Sequence, residues 1–434
     1  MQKKLMAVAV AGAVAAPGIV LAQTSTVQIG GSITAFYYHH TPHNPSVATK
    51  GDIMESSEPE FFIRGEEQLG GGLSAWFQCT SSMDGIISGN AAVTESGICA
   101  RNSGIGFKGG FGNVFWGNWD VGHKLFVNRI RGWNGGTNAF TGGVGNLLMG
   151  GSASGAVNPT TTGGVATSTA VVAGAVTVGS FVTTSTTVTS NNPASFFRRQ
   201  AASWHYHSPS FSGFQVQGDI SANNESTGIP EASPLDPRMW SIGVHYDNGP
   251  LYIGGGYERH KDYNPSNSAA YIGGTDHSWT LGVGYTFAGV FKWTGLYMQN
   301  KYEQGDATGT ELKVKGWATF IDWAIAGPHS LKAQFIWVDD VRGSATRAIG
   351  AYRPAGAATC AGGVGGTSTA FCSGDSGAVQ FGAWYAYAFS KRTEMFAGFN
   401  RVDNDTAAVY SLGKAAPTAG ATQTNIGMGV RHRF

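Results

Sequence analysis

Charge is scarce in this chain. Asp, Glu, Lys and Arg make up 13% of its 434 residues, against ~25% in ordinary soluble domains. So little charge excludes a disordered chain, and a formal net charge of +1 excludes the basic footprint of a nucleic-acid binder. Long apolar runs are also missing. After residue 22 no stretch of eighteen apolar residues survives, so no membrane-spanning helix is available. Extended helical periodicity is absent as well. Cysteines number four, with no Cys-x-x-Cys spacing, which removes zinc-ribbon and thioredoxin-like readings. What the chain has in abundance is glycine, 65 residues, and aromatics, 12%.

The first residues read as an export signal. Lys3 and Lys4 precede an apolar run from Leu5 to Leu21, and Val20-Leu21-Ala22 stand before Gln23. A basic start, an apolar stretch and small residues before a cut make a secretory signal peptide, expected to be cleaved after Ala22. A membrane anchor is the alternative, but the run is Ala/Gly-rich and broken by Pro17. The remaining chain, residues 23–434, carries 26 basic and 27 acidic residues. Export to an oxidising compartment makes the cysteines candidates for disulfides. Of the three possible connectivities, the local pairing of Cys79 with Cys99 and of Cys360 with Cys372 is favoured, each pair stapling a loop.

The periodicity is two. Trp279, Leu281, Val283, Tyr285 and Phe287 share one face, and Ser278, Thr280, Gly282, Gly284 and Thr286 share the other. Trp240, Ile242, Val244 and Tyr246 repeat the pattern, as do Ile426, Met428, Val430, His432 and Phe434. This is the alternation of β-strands. In a soluble sandwich the second face would be rich in Lys and Glu; here it is mostly Gly, Ser and Thr. Aromatics fall near the ends of the apolar faces, as in the girdles of a membrane barrel. Only a closed barrel can carry β-structure across lipid, because an open edge leaves backbone groups unpaired.

Sixteen strands are predicted, at about 26–40, 57–66, 72–80, 99–109, 112–120, 196–207, 212–222, 238–247, 250–261, 275–288, 290–303, 310–325, 329–342, 375–389, 393–404 and 422–434. Short connections such as Asp247-Asn248-Gly249 and Gly327-Pro328-His329 alternate with long ones at 41–56, 81–98, 121–195, 223–237, 262–274, 343–374 and 405–421. An even strand count with short turns at one end and long loops at the other describes a bacterial outer-membrane barrel. Sixteen strands enclose a water-filled bore. The predicted fold is therefore all-β, a transmembrane sixteen-stranded antiparallel barrel. Its last residue, Phe434, faces outward by parity and fits a terminal aromatic used as an assembly signal.

Four segments carry a family resemblance. They are Arg64-Gly65-Glu66-Glu67-Gln68-Leu69-Gly70-Gly71-Gly72-Leu73, Arg101-Asn102-Ser103-Gly104-Ile105-Gly106-Phe107-Lys108-Gly109-Gly110-Phe111-Gly112, Tyr206-His207-Ser208-Pro209-Ser210-Phe211-Ser212-Gly213-Phe214, and Tyr387-Ala388-Phe389-Ser390-Lys391-Arg392-Thr393. In order along the chain, they resemble strand–turn junctions of the trimeric Gram-negative general porins, the betaproteobacterial type above all. The resemblance implies a homotrimer in the outer membrane, a third external loop folded into the lumen, and passive diffusion of ions and small hydrophilic solutes. Contacts with outer-membrane lipid, lipopolysaccharide and the barrel-assembly machinery are expected with it. No cofactor, metal or nucleic acid is called for.

The longest connection, 121–195, holds the third-loop position. Val121 to Met149 contributes Lys124, Arg129 and Arg131, and 151–195 is a Thr/Val/Ala/Gly-rich insertion. For that insertion an extra hairpin and a surface excursion both stay open. The resemblance implies arginines on the wall facing the loop, and Arg101 and Arg199 match two of them, with Arg64 at a position usually basic. Glu60 stands where another wall arginine is expected, and Asn118 replaces an arginine after Gly117. The expected constriction thus comprises Arg64, Arg101, Lys124, Arg129, Arg131, Arg199, Glu60 and Asp120. Its fixed charges would set which ions pass, with a mild preference for anions. The alternative places Arg129 and Arg131 on the loop's solvent side.

Other functions have weaker support. His39, His40 and His43 cluster at the end of the first strand without the surroundings of a metal site. Ser203 and His205 share a strand face with no orienting acid evident in the sequence, so no catalytic residue is assigned. A substrate-specific channel is the stronger rival, with Trp76, Trp119, Trp133, Phe140 and Trp384 placed to form an aromatic track for sugars or aromatic solutes.

Overall fold

A computed structural model describes residues 26–43, 50–56, 59–83, 86, 98–131, 196–221, 238–261, 274–303, 310–344, 376–406, 408, 410, 412 and 420–434, with the backbone of 171–172 and 175–176. The signal sequence, Cys360, Cys372, Trp133 and Phe140 lie outside the described residues.

Alternating side chains close into one antiparallel barrel of sixteen strands. They are β1 (Thr26–His43), β2 (Gly51–Ser56 and Glu60–Gly70), β3 (Leu73–Ser82), β4 (Ser103–Gly109), β5 (Gly112–Asp120), β6 (Arg199–His207), β7 (Phe214–Ser221) and β8 (Arg238–Asn248). Then follow β9 (Leu251–Lys261), β10 (Thr275–Phe287), β11 (Phe291–Glu303), β12 (Glu311–Ala326), β13 (His329–Val338 and Arg342–Gly343), β14 (Ala378–Ala388), β15 (Thr393–Asn404) and β16 (Thr422–Arg433). Among the described residues no helix is long and apolar enough to cross a membrane.

Two strands are interrupted. The halves of β2 pair with β1 in registers that differ by one residue, Ala35↔Ser56 against Ser32↔Glu60. The halves of β13 do the same against β12, Gly316↔Val338 against Leu312↔Gly343. Such bulges keep a strand in the sheet while resetting its side chains. The sequence reading placed 51–56 in the first long loop; it is strand, because β1 runs on to His43 and supplies a partner. Closure comes from β1 and β16, Ser32↔Arg433 through His43↔Thr422. Phe434 extends this seam by exchanging two backbone hydrogen bonds with Gly31, both 3.1 Å, and its side chain is exposed.

Parity separates the two faces. Ile242, Leu281, Tyr285, Trp317, Trp323, Met428 and Val430 project outward and are exposed, as an apolar band facing lipid requires. The inner face is less uniform than the sequence suggested. Over β4–β10 it is mostly Gly, Ser and Thr with polar residues, but over β11–β13 apolar side chains outnumber polar ones such as Thr294, Asn300 and Gln334. Leu296, Met298, Leu312, Val314, Phe320, Ile336 and Val338 all point inward and are buried. They cluster with Tyr410 and Leu412 of the last long loop. From Trp317 to Ile321 both faces of β12 are apolar apart from Thr319, and there alternation alone does not say which one meets lipid.

The connection after β5 enters the barrel as a helix, α1 (Gly122–Ile130). It packs against β7–β11. The sequence reading treated this stretch as loop, although His123, Phe126, Val127 and Ile130 follow the i, i+3, i+4, i+7 spacing of a helix face, and all four are buried. In the insertion, Val171–Val172 and Ala175–Val176 pair as a short hairpin separate from the barrel.

Candidate pore constriction

α1 is set in a groove of the barrel wall, and glycine makes the groove. A Cβ on Gly243 would lie 2.4 Å from the Gly122 carbonyl oxygen, and one on Gly256 would lie 2.4 Å from the His123 ring. One on Gly254 would meet Phe126 at 2.9 Å, and one on Gly282 would meet Ile130 at 1.9 Å. Each position needs glycine for close approach. These are small residues the sequence placed on the polar face; their task is to admit a helix.

The helix ends are satisfied by the wall. Val121 occupies the N-cap position with no side-chain acceptor, so the first N–H groups need partners from elsewhere. Asp219 accepts from the Gly122 N–H, and Ser241 Oγ accepts from the His123 N–H at 2.9 Å. A carboxylate at this end also complements the helix dipole. At the other end Thr294 Oγ1 donates to the Ile130 carbonyl at 2.7 Å. The His123 side chain is fully buried, with Nε2 2.7 Å from Thr280 Oγ1 and Nδ1 3.8 Å from Glu258. Burial pushes its pKa down to about 3, so the ring is neutral at pH 7.

One residue along, Lys124 joins a charged cluster. Its Nζ lies 2.6 Å from Asp120 Oδ1. Arg199 Nε lies 3.6 Å from the same oxygen and donates to Asn102 Oδ1 at 2.6 Å. Asn102 Nδ2 in turn donates to Asp120 Oδ2 at 3.1 Å. Next to Asn102, Arg101 lies 3.6 Å from Glu60. Arg131 and Lys124 both stand over the Phe197 ring, at 4.8 and 4.7 Å. Of the predicted residues, Arg101, Lys124, Arg131, Arg199, Glu60 and Asp120 are thus linked through shared partners or adjacent positions. Four of the predicted cations and two of the predicted carboxylates meet here.

Arg129 and Arg64 stand apart from this cluster. Arg129 pairs with Asp247 at 2.8 Å, beside the short turn after β8, and its guanidinium lies over Tyr252. Arg64 donates to Gln28 and lines a cavity of about 370 Å³ with Glu66, Trp76, Lys108, Asn113 and Trp119, toward the short-turn end. Asn118 caps the chain entering β4 by donating to the Ala100 carbonyl at 2.8 Å. Outside the bore, Cys79 and Cys99 form a disulfide across the second long loop, with Cα atoms 4.5 Å apart.

Sequence reasoning missed Asn102, which links Asp120 to Arg199, and the wall groups Asp219, Ser241, Thr280 and Thr294 that hold α1. It also left Ser203 and His205 without an acid, and the structure supplies one. His205 Nδ1 pairs with Asp219 directly across the strand pair, while Nε2 lies 2.6 Å from Ser203 Oγ. The serine hydroxyl also lies 2.8 Å from the Gln200 carbonyl and is buried. Asp219 joins this array to α1. His207 brings a further nitrogen within 4.8 Å of the His205 and Asp219 atoms, but those atoms already have partners. Trp76 and Trp119 meet with Phe115 as one ring cluster, whereas Trp384 packs separately with Phe36 and Phe396 around the closing seam.

Comparison with known proteins agrees with this architecture. The sequence matches the Gram-negative porin family over residues 7–407. It is 25% identical over 396 residues to an outer membrane porin protein of Bordetella pertussis, covering 86% of this chain and 81% of that one. It is 27% identical over 237 residues to outer membrane porin protein 32 of Delftia acidovorans, an alignment that takes in 53% of this chain and 55% of that relative. Among solved structures, the anion-selective porin from Comamonas acidovorans superposes with a TM-score of 0.64 at 21% identity, over 94% of this chain and all of that one. In-vitro folded OmpT of Vibrio cholerae superposes with a TM-score of 0.56 at 12% identity, over 94% of this chain and 99% of that one. Closed barrel, inward-folded third loop and family match together place the chain in the Gram-negative porin family of the outer membrane.

Proposed function

We propose that this porin passes ions and small hydrophilic solutes by passive diffusion, works as a homotrimer, and mildly favours anions. The observation supporting the selectivity is the gathering of Arg101, Lys124, Arg131 and Arg199 in one region of wall and third loop, with Glu60 and Asp120 among them. Fixed positive charge in a low-dielectric neck raises the local anion concentration. Arginine keeps that charge at every physiological pH. The anion-selective Comamonas porin of similar fold supports the same sign. Signal-peptide removal after Ala22 precedes assembly, for which Phe434 is the proposed signal.

The test is planar-bilayer conductance of refolded protein across a salt gradient. The wild type should open in steps of three with a reversal potential on the anion side. Replacing Arg101, Lys124 and Arg199 with Gln should move it toward cations. No movement would remove this cluster from the selectivity mechanism while leaving the channel intact.

A second reading has one observation in its favour. Trp76 and Trp119 line the same cavity as Arg64, Glu66 and Lys108, a surface on which a planar solute could stack beside charged groups. A specific channel would show single-channel current that saturates with such a solute; a general pore would not.

A further inference from the structure

Protons are short in the array around Asp219. On β6, Ser203, His205 and His207 alternate with Trp204 and Tyr206. Those two aromatic side chains are exposed on the outer side, so the serine and the two histidines face inward. Across the strand pair, His205 stands opposite Asp219 and His207 opposite Gln217. Four side chains with nitrogen or oxygen donors thus share one patch of the inner wall. His205 and Asp219 are buried and His207 is half-buried, so the patch meets the bore through His207.

The protons can be placed one by one. Ser203 Oγ touches two carbonyls, that of Gln200 at 2.8 Å and that of Gly117 at 3.1 Å. Carbonyls only accept, so the single hydroxyl proton is directed at them. Toward His205 Nε2, 2.6 Å away, the serine can then only accept. Nε2 therefore carries a proton. A neutral imidazole has no second one, so its Nδ1 would turn a lone pair on the Asp219 carboxylate that it contacts. Two acceptors in contact need a cation between them.

A second ring proton would meet that need and nothing else. Among the described residues no hydrogen bond reaches the buried His207 Nε2, nor the buried Oε1 of Gln217. Yet a nitrogen of His207 lies within 4.8 Å of the donor atoms of both His205 and Asp219. A metal ion satisfies all three side chains at once. Two imidazoles and one carboxylate suit zinc and its first-row neighbours, in contrast to the all-oxygen shells of calcium and magnesium. The outer partners of such a site are present too. Ser203 holds the far nitrogen of His205, while Phe115 stacks on the His205 ring at 4.7 Å and meets the His207 ring edge-on at 5.1 Å. Neighbours of this kind orient the ligands and keep water away.

We propose that His205, His207 and Asp219 bind a divalent transition-metal ion of the zinc class in the wall of the bore, with one water completing the shell. On binding, the proton between His205 and Asp219 passes to solvent and the metal takes its place. Gln217 Oε1, opposite His207, is the acceptor for the bound water. Asp219 also accepts from the Gly122 N–H, so the ion is joined to the start of α1 and its occupancy is coupled to the seating of the third loop. This goes beyond passive diffusion and does not depend on which ions the neck prefers.

The experiment titrates zinc chloride into tag-free refolded protein by isothermal calorimetry and records zinc-edge X-ray absorption on the loaded sample. Wild type should bind one ion per chain, with two imidazoles in its first shell. His207→Ala should weaken binding more than about a hundredfold, beyond the ten- to hundredfold of losing an outer partner. His39→Gln, in the separate histidine cluster at the end of β1, should bind as wild type does. Loss of binding in His39→Gln but not in His207→Ala would assign the ion to β1 and overturn the proposal. Absence of stoichiometric binding by wild type, or a first shell without imidazole, overturns it whatever the variants do. Bilayer conductance in zinc-free buffer reports separately on the porin reading, so the two can fail independently.

Discussion

The two sides of the bore hold the third loop by different means. On one, Asp120 draws Lys124 and Arg199 together, with Asn102 between them. On the other, Ser241, Thr280 and Thr294 make neutral hydrogen bonds to α1 beside the single carboxylates of Asp219 and Asp247, and the helix lies in a groove cut by Gly243, Gly254, Gly256 and Gly282. Shape and neutral bonds set how deep the helix lies in the wall, while carboxylates at Asp120, Asp219 and Asp247 fix three points along it. A helix held only by ion pairs would have its position and its selectivity set by the same groups.

Breaking the charged side should give the largest effect. Asp120→Asn leaves Lys124 and Arg199, both largely buried, without their carboxylate. Removing one partner of such a pair costs about 3–5 kcal/mol. The expected outcome is a lower thermal dissociation temperature for the assembled protein and a reversal potential shifted further toward anions. An unchanged reversal potential would mean that passing ions do not sample this cluster.

Acid should come next, acting on the neutral side. An undocked His123 takes up a proton near pH 6.5, whereas the docked one does so only near pH 3, because burial disfavours the charged ring. Between those values the undocked state binds more protons, so docking is fully supported above pH 6.5 and weakens as pH falls toward 3. At pH 5 the loss is about 2 kcal/mol. Open-channel noise should therefore rise between pH 7 and pH 5. The rise should vanish in His123→Gln; its persistence would move the cause to neighbouring Glu258 or His260.

Shape can be broken without touching any polar group. A methyl on Gly243 meets backbone, the Gly122 carbonyl at 2.4 Å, and backbone cannot rotate away as a side chain can. Overpacking of this kind costs about 1–3 kcal/mol. Gly243→Ala should lift the start of α1 and change single-channel conductance, while Gly255→Ala, on the outward face of the next strand, should not. Equal behaviour of the two would show that the groove does not position the helix.

How much of this was legible in the residues follows from what sets each feature. Strands were legible because alternation is local: β5 and β15 fall where the sequence places them, at Gly112–Asp120 and Thr393–Asn404. The 51–56 segment was not, since its strand identity depends on how far β1 extends. Inward placement of Leu312 and Val314 was hidden because a membrane barrel is expected to turn apolar residues to lipid, whereas here Glu311, Lys313 and Lys315 hold the outer side. The helix had a periodic face but no local cap. Its caps come from Asp219 and Ser241, 97 and 118 residues away from the groups they satisfy, and no window of sequence contains such pairs. Arg101, Arg199 and Asp120 were named from sequence, but Asn102, which connects two of them, carries no charge to draw attention.

The cap also provides the finest test. Ser241→Ala removes the acceptor for the His123 N–H and leaves a buried donor unmet, at about 1 kcal/mol. Val121 already has the extended backbone of an N-cap residue, φ −71° and ψ 157°. A serine there could accept from the first-turn N–H groups itself. In an intact wall Val121→Ser should gain nothing, because those groups have partners, and it gives up the burial of an apolar side chain. In the Ser241→Ala background it should restore part of the loss, so the two changes should be less damaging together than their separate effects add up to. A double-mutant cycle on thermal stability reads that coupling directly. Coupling of the opposite sign, or none, would mean that the helix start is held by Asp219 and the glycine groove alone, and that Ser241 is only a neighbour.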